Sequence, residues 1–198
     1  MPPLGTFNLH ASLLPQYRGA APINWAVING ETETGITTFF LQHEIDTGNI
    51  IMQQKIDIAP DDNAGIVHDK LMMLGSDLVL QTVNQIESGN VASIPQPEGE
   101  LKPAPKIFKE TCEIDFGRSA QDVYNHIRGL SPYPAAWCEL VDRDGNVAAL
   151  KVYETAKEIC NHGKECGTLV TDGKTFLKVA VKDGYVSLLE VQLAGKRR

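Results

Sequence analysis

No apolar run in this 198-residue chain approaches the roughly 20 residues that a membrane-spanning helix needs. The opening MPPLGTFNLH lacks the basic region and apolar core of a signal peptide. Cysteine is scarce: Cys112, Cys138, Cys160 and Cys166 are the four present, and none stands in C-x-x-C spacing. That argues against a zinc site, and reduced thiols in a cytoplasmic protein are the plain reading. Internal repeats and low-complexity tracts are absent too. The apolar and charged fractions, 42% and 22%, are those of an ordinary globular protein.

Acid is in excess. The net charge of −7 discourages a nucleic-acid partner, but it is unevenly spread. Residues 1–109 hold 6 Lys/Arg against 12 Asp/Glu, a net of −6; residues 110–198 hold 12 against 13, a net of −1, and end in GKRR. The second half therefore has the means to present a basic face, the alternative being a solvated mixed surface.

Patterning places the elements. GTFNLHA reads as a strand, and APINWAVING as a helix with Pro22 in its first turn and Gly30 closing it. TGITTFFLQ and GNIIMQQKIDI read as strands from their β-branched and aromatic content. From Asn63 to about Glu87, Ile66, Val67, Leu71, Leu74, Leu78 and Val79 recur at helical spacing, with Gly89 as the stop. Pro95, Pro97, Pro103 and Pro105 then mark a semi-extended linker. Beyond it, Ser119 caps a helix ending near Gly129, and short strands follow. Asp144-Gly145, Asp172-Gly173 and Asp183-Gly184 punctuate those strands as hairpin signals. A small antiparallel barrel is expected there. The division is residues 1–92, a linker at 93–109, and residues 110–198. The first unit, with three strands and two helices, is too little to close a layered α/β core and reads like the second half of something larger.

The chemistry gathers near the first strand. Side chains alternate along a strand, so Asn8 and His10 share a face. An imidazole moves protons near neutral pH, and an amide donates to an oxygen that becomes negative during reaction. A third group is needed to orient the imidazole, and Asp46 in EIDTGNII is available on a loop. The DTG triplet does not make an aspartic protease, because that chemistry needs a second such Asp and none occurs. His43, His68, His126 and His162 lack metal-ligand spacing and read as surface or helix residues; no metal is implied.

The combination NLHASLLPQYRGAAPINWAVINGETETGIT followed by IDTGNII resembles the folate-dependent formyltransferases. The resemblance covers residue order, residue types and the long spacing from His10 to Asp46. It implies transfer of a formyl group from 10-formyltetrahydrofolate to an amine. Asn8 would hold the formyl oxygen as it becomes an oxyanion, His10 would stabilise that charge and assist proton transfer, and Asp46 would position His10. Ser12, Leu13, Leu14 and Pro15 match the family's folate-contacting segment, although Leu13 and Leu14 also suit a core. Arg18, beside Gly19, either meets an anionic substrate or is solvated.

IRGLSPYPAAW and EVQLAGKRR resemble the C-terminal domain of the methionyl-tRNA formyltransferases, an OB-like barrel that helps grip initiator tRNA. The resemblance implies methionyl initiator tRNA as the acceptor. Lys196, Arg197 and Arg198 are then phosphate contacts, or else part of a frayed terminus. A sugar-nucleotide formyltransferase and a non-catalytic tRNA-binding remnant are the alternatives. The implied fold class is α/β: the C-terminal half of a Rossmann-like formyltransferase domain followed by the OB-like barrel. Family members carry about a hundred residues before the Asn-x-His strand, so this chain is expected to be N-terminally shortened and weakly active or inactive. The exposed sheet is then expected to favour self-association.

Overall fold

A computed structural model describes residues 2–142 and 144–198. Contacts divide the chain into two units. The first contains Met1–Ala26, Glu31–Asp62 and Ile66–Ile107; the second contains Val27–Gly30, Asn63–Gly65 and Phe108–Arg198.

In the first unit, strands β1 (Phe7–His10), β2 (Glu33–Phe40) and β3 (Ile50–Asp57) form a sheet in that order. Helix α1 (Pro22–Ile28) lies between β1 and β2 in the chain, and α2 (Ala64–Glu87) follows β3. Both strand pairings are antiparallel, with a register shift at Thr38/Phe39. Direct partners share a face, so Asn8 with Phe39 and His10 with Thr37 form one surface, and Leu9 with Thr38 the other. The second surface carries α2. Thr38 bonds to Thr82 across that contact, and a Cβ on Gly75 would lie 2.9 Å from Leu9 Cδ2. The buried stripe of α2 runs Val67, Leu71, Gly75, Leu78, Thr82, at helical spacing. Ile66, counted with the apolar stripe from the sequence, is exposed.

The prolines predict a semi-extended linker at residues 93–109. Within it, residues 94–104 lie along the first unit: Ile94 exchanges backbone bonds with Ile50, Ala104 bridges Gly19 in parallel, and the Tyr17 N–H donates to the Lys102 carbonyl. Proline spacing reports extended backbone; it does not report what that backbone bonds to.

In the second unit, helix α3 (Ala120–Leu130) starts at Ser119, whose hydroxyl accepts from the Asp122 N–H. Strands β4 (Ala136–Val141), β5 (Val147–Ile159), β6 (Leu169–Thr171), β7 (Leu177–Val181) and β8 (Gly184–Leu193) follow. They form one five-stranded antiparallel sheet in the order β4-β5-β8-β7-β6. The three Asp-Gly pairs fall between β4 and β5, between β6 and β7, and at the β7–β8 turn. Val123, Ile127 and Leu130 of α3 are buried at i, i+4 and i+7, and the helix packs chiefly on β5. Among the described residues, no helix is long and apolar enough to cross a membrane.

Candidate active site

β1 ends on its most enclosed side chain. His10 is 6% exposed, its ring edge-on to Phe39, while Asn8 on the same face is exposed. His10 Nε2 lies 2.9 Å from the Tyr17 carbonyl. A carbonyl only accepts, so Nε2 carries the proton and Nδ1 faces outward from that bond. Asp46 Oδ2 stands 3.7 Å from Nδ1, within ion-pair range and beyond hydrogen-bond length.

The loop after β1 is held by side chains beneath it. The Ser12 hydroxyl, fully buried, donates to the Gln16 carbonyl at 2.6 Å. Thr37 donates to the Ser12 carbonyl and accepts from the Leu14 N–H; Gln53 Nε2 donates to both the Leu14 carbonyl and Thr37 Oγ1. Leu14 packs in the core with Phe39 and Ile50, whereas Leu13 is half-buried. Of the two leucines, the core therefore takes Leu14 and leaves Leu13 accessible. Pro15 is half-buried beside them.

Asp46 sits at φ +57°, a left-handed conformation that Asp adopts more readily than most residues. Its Oδ2 accepts the Gly19 N–H at 3.0 Å. Gln96 Nε2 donates to the Asp46 carbonyl at 2.7 Å and to the Gly48 carbonyl at 2.9 Å. Gln96 Oε1 accepts from Arg18 Nε and Nη2. Arg18 is thus tied within the chain. Two glycines are required here by space. A Cβ on Gly48 would meet the Phe40 carbonyl oxygen at 1.5 Å, and one on Gly19 (φ +127°) would meet the Ala104 carbonyl oxygen at 2.4 Å. The carbonyl of Tyr17 and the side chains of Thr37, Gln53 and Gln96 were not among the residues singled out from the sequence.

Beside this loop a cavity of about 380 Å³ is lined by Leu13, Gln16, Tyr17, Glu31, Thr34 and Lys102, among others. Glu31 accepts from Tyr17 Oη and from Lys102 Nζ, each at 2.5 Å. Burial pushes the Glu31 carboxyl up, but those two bonds outweigh it and hold it below its ordinary value.

The basic C-terminus divides. Lys196 and Arg197 are exposed. Arg198 donates to both oxygens of Glu190, at 2.5 and 2.9 Å, and lies 4.0 Å over the Tyr153 ring. Among the described residues, no three His, Cys, Asp or Glu side chains cluster as a metal site.

The formyl transferase family model matches residues 1–83, and the formyl transferase C-terminal domain model matches residues 106–198. The methionyl-tRNA formyltransferase of Bacteroides fragilis (strain ATCC 25285) is 64% identical over 202 residues, covering 100% of this chain and 62% of its own length. That of Phocaeicola vulgatus is 63% identical over 203 residues, with 100% and 63% covered. The chain thus spans less than two thirds of the length of these curated relatives. Two solved structures share the fold. The N-formyltransferase from Helicobacter canadensis, in complex with folinic acid and dTDP-3-aminofucose, has a TM-score of 0.73 at 20% identity, with 94% of this chain and 66% of that one covered. HypX from Aquifex aeolicus, in complex with tetrahydrofolic acid, has a TM-score of 0.69 at 19% identity, with 96% and 32% covered.

Proposed function

Since the chain belongs to the formyl transferase family, we propose that it carries the catalytic residues for moving a formyl group from 10-formyltetrahydrofolate to the amino group of methionyl initiator tRNA, in the cytoplasm. The observation that carries this reading is the meeting of His10, Asp46 and Gly19, in which one Asp46 oxygen accepts the Gly19 N–H and faces the His10 ring. The curated relatives, at 63% and 64% identity, point to the acceptor.

In the reaction, the free amine attacks the formyl carbon and the carbonyl oxygen becomes an oxyanion. The Asn8 amide and the His10 ring stabilise that charge as it develops. A new carbon–nitrogen bond forms, the bond from the formyl carbon to the folate nitrogen breaks, and the proton shed by the amine ends on the departing nitrogen. Asp46 holds His10 in the orientation for this transfer and balances its charge when the ring is protonated.

Leu13, with Ser12 and Pro15, forms part of the folate wall; Leu14 supports it from the core. In this reading residues 1–92 belong to a Rossmann-like domain, and residues 110–198 form an OB-like barrel that grips the tRNA. The 13-residue β5, paired to β8 with two register shifts, supports the bending and coiling that a barrel needs. Lys196 and Arg197 are the terminal cations free to meet phosphate, since Arg198 is engaged by Glu190.

The test is formylation of methionyl initiator tRNA by the protein, beside His10→Ala. Formyl-methionyl-tRNA made by the wild type and lost in the variant supports the reading. Transfer to a nucleotide-linked amino sugar with none to tRNA would replace it.

A further inference from the structure

We infer that Gln96 is a positioning residue for the formyl transfer proposed above, acting through Asp46; the inference rests on that reading. Gln96 lies fifty positions from Asp46 in the chain and closes a ring of contacts around it. Its amide N–H₂ donates to the Asp46 and Gly48 carbonyls, its amide oxygen accepts two N–H groups of Arg18, and the neighbouring Gly19 N–H bonds Asp46 Oδ2. Guanidinium groups only donate and carbonyls only accept, so these partners allow the amide one orientation. A single side chain thus grips both sides of the Asp46–Gly19 bond.

The loop needs that grip. Residues 41–45 are exposed, so packing does little to hold the segment entering Asp46, and Asp46 itself is in the left-handed region. Gln96 is also prepared for the task. From Ile94 to Pro103 it is the one residue that is not exposed. It stands between Pro95 and Pro97; a following proline keeps it extended, which limits the freedom lost on ordering.

The experiment compares Gln96→Ala and Gln96→Glu with the wild type. The glutamate keeps an acceptor for Arg18 but loses both donors to the loop. If the donors matter, both variants lower kcat about 10- to 100-fold, the scale expected when a reacting group is displaced by about an ångström. KM for folate and for the acceptor should change less than about threefold, with kcat normalised to the folded fraction by circular dichroism, since loss of folded protein alone also lowers apparent kcat at constant KM. Both variants should also speed hydrogen exchange at the Gly19 amide by about tenfold or more, because its acceptor drifts. Wild-type kcat in Gln96→Glu would overturn the inference, as would an unchanged Gly19 exchange rate. If the wild type transfers no formyl group to any amine, the proposed reaction falls, and the Gly19 exchange rate still decides whether Gln96 positions Asp46.

Discussion

One oxygen of Asp46 serves two neighbours: it accepts the Gly19 N–H at 3.0 Å and stands 3.7 Å from His10 Nδ1. Asp46→Asn keeps an acceptor for Gly19 and removes the charge opposite the ring. In the reaction proposed above, kcat should fall by about 10²- to 10⁴-fold, the range of a positioned acid–base pair. Rates at saturating folate and acceptor, with circular dichroism to confirm folding, check this. An Asn variant at wild-type rate would remove Asp46 from the mechanism.

Gly19 and Gly89 both have positive φ, at +127° and +70°, but a Cβ on Gly89 meets nothing within 4 Å. Gly89→Ala should cost about 1 kcal/mol, the left-handed penalty alone. Gly19→Ala adds collision with the Ala104 carbonyl and should cost roughly 2–4 kcal/mol. Urea midpoints of the two variants rank them. Equal costs would mean that the Gly19–Ala104 approach relaxes freely.

The cysteines should react in a set order. Cys166 is exposed, while Cys112 and Cys138 are buried. Burial pushes both buried thiols up, Cys138 to about 11. At pH 8 the Cys138 thiolate is scarce, and iodoacetamide should modify it about two orders of magnitude more slowly than Cys166. Peptide mass mapping over time reads the order, and early labelling of Cys138 in folded protein would contradict it.

His126 should make stability depend on pH. Burial, reinforced by the charge of Arg118, holds its ring below the ordinary 6.5, against hydrogen bonds with the Cys112 and Glu113 backbone that raise it. Its Nε2 is buried without a hydrogen-bond partner. The unfolded chain therefore binds this proton more readily than the folded one. The contribution is fully present above pH 6.5 and is lost as pH falls through the lowered folded value. Denaturant midpoints from pH 7.5 to 5 should decline in the wild type and decline less in His126→Leu. Parallel curves would exclude His126 as the source.

The elements of both units were legible because their causes are local. Pro22 at a first helical turn, the stripe through Val67, Leu71 and Leu78, Ser119 as a cap and three Asp-Gly turns each act within a few residues. Asn8, His10 and Asp46 were singled out by residue type and by resemblance. The groups that hold them were not. The Tyr17 carbonyl carries no side-chain signature, and Thr37 and Gln53 look like ordinary strand residues until their bonds to Ser12 and Leu14 are seen. Gln96 stood in a proline-rich stretch whose composition describes its stiffness and not its partner. Arg198 pairs with Glu190 eight residues earlier, although terminal cations read as free.

The strap at residues 94–105 also sets an order in time. Arg18 meets Gln96 across 78 positions, Gln16 meets Glu100 across 84, and Lys102 meets Gln16 across 86. During synthesis the loop after β1 leaves the ribosome before the strap that completes its bonds has been made. At ordinary translation rates the delay is on the order of ten seconds. The nascent chain spends that interval without the Gln96 bonds to Asp46 and Arg18 and without the Ala104 bridge to Gly19, so the loop after β1 reaches its final form late, after the strap has closed.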